Sequence, residues 1–284
     1  MDILKTTSDM QEWSKKKKKE SKTICLVPTM GYFHQGHISL MEKGKPLCDE
    51  LVVSIFVNPA QFGPNEDLDS YPSDIENDLA LAQKTGVSAI FLPNKEHIYP
   101  ENFQTQIKLQ YLPKFLCGKF RPVHFAGVAT VVTKLFNIVM PDIAIFGQKD
   151  YQQLQVIRQL TLDLDFDIKI IAGDIFREED GLAMSSRNAY LSKLQRASAL
   201  SLSKSLNLAK ELIAGGEKNP VAIKNRIETF ICTFPETNIE YISFCNPKTL
   251  EAIDSIENQV LLAIAVKIGK TRLIDNALID HPSQ

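Results

Sequence analysis

The sequence is poor in the features that mark specialised protein classes. Its five cysteines (Cys25, Cys48, Cys117, Cys232 and Cys245) are odd in number, scattered and never spaced as Cys-x-x-Cys. That excludes a dense disulfide frame or a cysteine zinc module and fits reduced thiols packed as small apolar side chains. No apolar stretch approaches the roughly 20 residues of a membrane-spanning helix. The start of the chain, with Asp2, Lys5, Asp9 and Glu12 ahead of any apolar run, lacks the layout of a secretory signal. A cytoplasmic protein without membrane association is therefore expected. Charge of one sign is missing as well: 32 Lys+Arg stand against 34 Asp+Glu, so there is no global basic field for nucleic acid. Neither a repeat nor a low-complexity linker is present.

What remains is an ordinary globular composition, 44% hydrophobic and 23% charged over 284 residues, enough for one or two domains. Lys15 to Lys19 fall in a capped helix expected over 8–20; five adjacent lysines point around its whole circumference, so a solvated helix is favoured over a phosphate-binding arm. Short apolar strands are then expected at 23–27 (ended by Pro28), 51–57, 88–92, 142–146 and 167–172, alternating with helices near 36–48, 73–85, 123–139 and 150–162. Such alternation implies a parallel sheet covered on both faces. After about residue 176 two helices (193–214, 220–233) precede three strands near 237–245, 259–267 and 270–275. The expected class is α/β: a doubly wound, Rossmann-like parallel-sheet domain over 1–176, then a smaller α+β C-terminal domain over 177–284.

Ligands of open α/β sheets bind beyond the carboxyl ends of the strands; three segments there, and a fourth at the domain junction, carry chemistry. In Pro-Thr-Met-Gly-Tyr-Phe-His-Gln-Gly-His (28–37), His34 and His37 flank Gly36 at a helix N-terminus, where free N–H groups and the helix dipole favour an anion; alternatively one histidine caps the helix and the other packs. No third ligand stands nearby to favour a metal pair. The long polar loop 58–72 carries Gln61, an amide suited to substrate hydroxyls or to an exposed turn. After the 142–146 strand, Gly147 permits close approach of a nucleotide, Lys149 is a point charge for phosphate and Asp150 an acceptor for ribose hydroxyls, unless Lys149 and Asp150 merely cap a solvated turn. Over 177–188, Ser185, Ser186 and Arg187 offer a second phosphate grip or a plain N-cap.

These motifs, together with Arg-Pro-Val-His-Phe at 121–125 and Gly-Lys-Thr-Arg-Leu-Ile-Asp-Asn at 269–276, occur in order along nearly the whole chain. In them the sequence resembles the pantoate–β-alanine ligases of the cytidylyltransferase-like nucleotidyltransferases. The resemblance implies ATP-dependent condensation of (R)-pantoate with β-alanine through a pantoyl adenylate, releasing AMP and pyrophosphate. It implies His37, His34 and Lys149 as catalytic groups, with His37 the proton donor. The ATP site would comprise Pro28, Thr29, Met30, Gly31, His34, Gly36, His37, Gly147, Gln148, Lys149, Asp150, Phe176, Met184, Ser185, Ser186 and Arg187. Gln61 and Gln153 would hold pantoate and β-alanine, Mg²⁺ would accompany ATP with unassigned protein contacts, the smaller domain would act as a lid, and a homodimer is implied. Gln35, Gln148 and Asn77 stand where acidic residues are common in the family, Asn77 beside a retained Asp78. Other readings are a different adenylate-forming ligase, a class I aminoacyl-tRNA-synthetase-like protein, which would need a tRNA surface, or a non-catalytic nucleotide-binding protein.

Overall fold

Capping residues and apolar alternation divide the chain into its elements, which a computed structural model describes for residues 1–64 and 66–281. A three-residue strand β1 (Asp2–Leu4) leads into α1 (Thr7–Lys19), whose first turn is capped by Thr6 Oγ1 accepting the Asp9 N–H at 3.1 Å. There follow β2 (Ile24–Thr29), α2 (Gln35–Gly44), β3 (Glu50–Ile55), α3 (Ile75–Thr85), β4 (Ala89–Phe91), the single turn α4 (Lys95–Ile98), α5 (Leu116–Phe120), α6 (His124–Val139), β5 (Ile143–Gly147), α7 (Tyr151–Asp163) and β6 (Lys169–Gly173). Gly86 at φ +78° closes α3, a left-handed cap that costs glycine little. No described helix is long and apolar enough to cross a membrane.

The six strands form one wholly parallel sheet in the order β1-β4-β3-β2-β5-β6, the doubly wound, Rossmann-like layout expected from the alternation. Cys25, Val27, Val53, Ile90 and Ile145 face Leu40 and Met41 of α2 and Ala82 of α3. Ile24, Leu26, Val52, Phe91 and Phe146 face Met10 of α1, Phe136 of α6, and Leu154 and Ile157 of α7. Burial on both faces is why these strands read as continuous apolar runs.

Three local expectations are corrected. β1 is an addition; three residues carry no periodic signal, and its pairing with Ala89 to Phe91 makes it a strand. Pro28 does not end β2. Ile24 O accepts the Asp142 N–H and Thr29 O the Phe56 N–H, so by alternation Pro28 turns its nitrogen toward β5, where pairing has already stopped after Leu26–Ala144, and no ladder bond is lost. The lysine run is only partly a solvated face: Lys15, Lys16 and Lys19 are exposed, while Lys17 donates to Glu50 and Lys18 to Asp142.

The chain divides into two compact units. The first comprises Met1–Pro113, Arg121–Gln148 and Gln153–Asp174; the second takes Lys114–Phe120, Lys149–Gln152 and everything from Ile175 onward. In the second unit α8 (Lys193–Ala214) and α9 (Pro220–Ile231) share an apolar core with the antiparallel sheet of β7 (Thr237–Cys245), β8 (Val260–Ile268) and β9 (Thr271–Ile279). Gly269, at φ +57° in the first position of the two-residue β8–β9 turn, supplies the backbone such a hairpin requires. The last strand runs four residues past its expected end because its hydrogen-bonded register with β8 continues to Ile279.

One glycine in the first unit is a fixed spacer. A Cβ at Gly127 of α6 would meet Ala60 O at 2.2 Å and Gln61 N at 2.5 Å, both main-chain atoms. Gly127→Ala is expected to lower the unfolding free energy by about 1–3 kcal/mol, the usual cost of overpacking, in urea denaturation. Unchanged stability would show that the 58–61 turn moves aside freely.

Candidate active site

In the first unit the strand order reverses between β2 and β5, which makes this the topological switch point of the sheet. The two strands pair only at Cys25–Ile143 and Leu26–Ala144, although β2 runs on to Thr29 and β5 to Gly147. Their carboxyl ends are therefore not stitched together. Pro28 to His37 leave one side of this opening; Gly147 and Gln148 leave the other.

The turn after β2 is built around a buried carboxylate. Thr29 Oγ1 donates to Ser54 O at 2.7 Å and accepts the Gly31 N–H at 3.2 Å. Gly31 and Tyr32 both take positive φ, +84° and +54°, which aims two consecutive N–H groups at Asp78 of α3: Tyr32 N–H donates at 2.8 Å and Phe33 N–H at 2.6 Å. Asp78 is fully buried, and burial, aided by the charge of Asp74, pushes its carboxyl above the usual range despite those two hydrogen bonds. Asn77 beside it is exposed.

The turn delivers His34 as the N-cap of α2, at φ −130° and ψ 174°. Its main-chain N–H donates to His37 Nδ1 at 3.3 Å, and the two imidazoles stack with centroids 4.1 Å apart and planes 29° apart. A neutral ring accepting at Nδ1 carries its proton on Nε2, so His37 is a donor at Nε2. The pair thus caps α2, with its two rings stacked on one another.

Gln61 is the centre of a second network. Asn58 Nδ2 donates to Gln61 Oε1 at 3.0 Å and to Gly127 O at 3.2 Å, while its Oδ1 accepts from Tyr99 Oη at 2.8 Å and from the Ala60 N–H at 3.3 Å. These four bonds use the full capacity of the Asn58 amide and point Gln61 Nε2 toward Met30 Sδ, 3.2 Å away. The burial of Tyr99 pushes its phenol up to about 12, so it stays protonated and donating. The Gln61 carbonyl lies 3.0 Å from His124 Nδ1, and His124 Nε2 lies 3.3 Å from an Arg121 nitrogen. A carbonyl only accepts and a guanidinium only donates, so His124 is the neutral Nδ1–H tautomer. Arg121 in turn grips both carboxylate oxygens of Glu66. Gln153, on the first turn of α7, is half-buried.

The remaining candidates stand on the second unit. Lys149 is half-buried and Asp150 exposed; the Lys149 carbonyl accepts from Asn276 Nδ2 at 2.8 Å. Phe176 is exposed, and its carbonyl accepts the Met184 N–H at 2.9 Å, closing a hairpin whose tip is Gly181 at φ +91°. Beyond it, Ser185 caps a 3-10 turn (Ser186–Tyr190), its Oγ accepting the Arg187 N–H at 3.3 Å, and Ser186 is buried. Within the first unit, therefore, the 28–37 turn meets Gln61 through Met30, and within the second, Phe176 is tied to Met184. Sequence reasoning assigns no role to Asp78, Asn58, Tyr99 and Gly127; Asp78, Tyr99 and Gly127 meet the main chain or amide of distant residues, which no spacing reports, and Asn58 joins its near neighbour Gln61 to the distant Gly127 carbonyl. Arg121 and His124 carry a signal in the 121–125 motif, but no function.

A family model described as pantoate–β-alanine ligase matches residues 2–278. The chain belongs to the pantoate–β-alanine ligase family. It is 59% identical over 280 residues to the pantothenate synthetase of Desulforapulum autotrophicum, covering 99% of both chains, and 55% identical to that of Desulfatibacillum aliphaticivorans, covering 99% of this chain and 100% of the relative. Among solved structures, the pantothenate synthetase of Thermus thermophilus superposes with a TM-score of 0.92 at 38% identity over 98% of this chain and 99% of that one. The pantoate–β-alanine ligase of Francisella tularensis, complexed with β-γ ATP and β-alanine, gives 0.82 at 34% identity over 98% and 97%. This pantoate–β-alanine ligase is accordingly an enzyme of pantothenate formation.

The Glu66–Arg121 pair gives the ligase an acid dependence. Burial pushes the Glu66 carboxyl up, but the Arg121 hydrogen bond and charge outweigh it and hold the group below its ordinary range. The stabilisation is present above the unfolded pKa of about 4.3 and is lost as pH falls through the depressed folded value. Glu66→Gln should therefore flatten the fall in unfolding free energy between about pH 5 and pH 3, read from urea denaturation at stepped pH. Identical slopes in both proteins would dissociate this pair from acid stability.

Proposed function

We propose that the enzyme joins pantoate to β-alanine in two steps, with ATP as co-substrate. The pantoate carboxylate attacks the α-phosphate of ATP, forming pantoyl adenylate and releasing pyrophosphate; the β-alanine amine then attacks the acyl carbon and AMP leaves. The observation that carries this reading is the His34–His37 pair at the N-terminus of α2, set at the switch point of a parallel sheet, where main-chain N–H groups and the helix dipole favour phosphate. His37, donating at Nε2, stabilises the charge that develops as pyrophosphate departs, with His34 beside it.

Gln61, held by Asn58, and Gln153 bind the pantoate hydroxyls and carboxylate. Pro28 to Gly31, Gly36, Gly147, Gln148, Lys149 and Asp150 cradle the nucleotide, Met184 to Arg187 clamp its phosphates, and Phe176 lies at the adenine. Among the described residues no three His, Cys, Asp or Glu side chains cluster to enclose a metal ion. Mg²⁺ would accompany ATP and neutralise charge on its phosphates, with its protein contacts unassigned. The family resemblance also supports a homodimer working in the cytoplasm.

Two measurements test this mechanism. With ATP and pantoate but no β-alanine, pyrophosphate exchange into ATP is expected; exchange that strictly required β-alanine would sink the adenylate intermediate. His37→Ala should slow that exchange about a hundredfold, a loss of roughly 3 kcal/mol for a donor aimed at transition-state charge, with the circular dichroism spectrum unchanged. A folded variant of near-normal rate would reduce His37 to a helix-start residue.

A further inference from the structure

The 269–276 segment ends in two buried polar residues, Asp275 and Asn276, that take no part in the chemistry proposed above. Both lie on β9 within its register to β8, Asp275 opposite Ile264 and Asn276 opposite Ala263, so they stand on a rigid base. Asp275 is 2% exposed, and its carboxylate accepts two guanidinium N–H bonds from Arg177, at 2.7 and 3.0 Å, as well as the Asn276 N–H at 2.8 Å. Arg177 also donates to Gly181 O at 3.1 Å. It thereby ties the root of the hairpin, which Met184 and Phe176 close, to its tip. Asn276 is 3% exposed and donates through Nδ2 to the Lys149 carbonyl at 2.8 Å. Two successive residues of one strand thus fix both segments of the second unit that carry ATP-site candidates.

We propose that Asp275 and Asn276 are positioning residues for adenylation, Asn276 by holding the main chain that presents Lys149 and Asp275 by holding the hairpin that leads to Met184 and Arg187. The proposal rests on the reading of Lys149 as a ligand of the ATP phosphates. A point charge stabilises a transition state only when its origin is fixed beforehand, and a misplacement of an ångström costs rate rather than folding. A carbonyl left without its donor frees the turn before α7 and lets the ammonium wander.

The test is a double-mutant cycle on the full-length enzyme with Lys149→Ala, Asn276→Ala and the isosteric Asn276→Asp, whose carboxylate offers the Lys149 carbonyl no donor. Two rates are read: pantoate-dependent pyrophosphate exchange, and conversion of supplied pantoyl adenylate with β-alanine. Each Asn276 variant should slow exchange about tenfold or more and leave the second step within about threefold, since the β- and γ-phosphates have gone by then. In the Lys149→Ala background the Asn276 change should add almost nothing, because residues acting as one unit are non-additive. Losses that multiply with Lys149→Ala, equal losses in both steps, normal exchange in the Asn276 variants, or failure of both variants to fold would each overturn the proposal. Lys149→Ala with normal exchange would instead overturn the assignment of Lys149 itself, a separate outcome.

Discussion

A single buried carboxylate holds the turn after β2 in shape. Tyr32 at φ +54° costs of order 1–3 kcal/mol as a non-glycine residue in the left-handed region, and Asp78, stripped of water, is costly to keep charged. Each offsets the other: the left-handed backbone aims two N–H groups at the oxygens, and the oxygens hold the backbone left-handed. Everything downstream follows from that closure. His34 arrives as N-cap, its N–H occupies Nδ1 of His37, and the proton of His37 is placed on Nε2.

Asp78 and Glu66 are both titratable anchors in the first unit, and they respond to pH with opposite sign. Glu66 is held low by Arg121 and gives up stability as acid protonates it. Asp78 is held high by burial, so its contribution is fully present below its unfolded pKa and declines as pH rises through the folded one. Arg121 links Glu66 to His124 and so to the Gln61 main chain, whereas Asp78 governs the histidine turn. The two candidate substrate-binding regions are thus held by carboxylates of different electrostatic character.

Much of the architecture was legible in the sequence because strand and helix periodicities are local: the apolar runs of β2, β3 and β5 and the capped helices each show within a dozen residues. β1 was illegible because three residues hold no period, and the passage of β2 through Pro28 depended on where its neighbour β5 stopped pairing. In the site, the His-x-Gly-His spacing and Gln61 were visible as side chains with evident chemistry. The supports were hidden, since beside the histidine turn Asp78 grips main-chain N–H groups about 45 positions away, and Asn276 grips the Lys149 carbonyl 127 positions away. Main-chain partners leave no residue type to read.

The bare face of α6 at Gly127 also sets how the surroundings of Gln61 can be redesigned. Helix and turn are in backbone contact there, and the Asn58 amide is fully spent, so neither has slack to receive a larger side chain. Met30, an unbranched thioether 3.2 Å from the Gln61 amide nitrogen, is a pliable neighbour. The surroundings of the Gln61 amide are therefore more readily altered by exchanging the methionine just beyond β2 than by changing the helix.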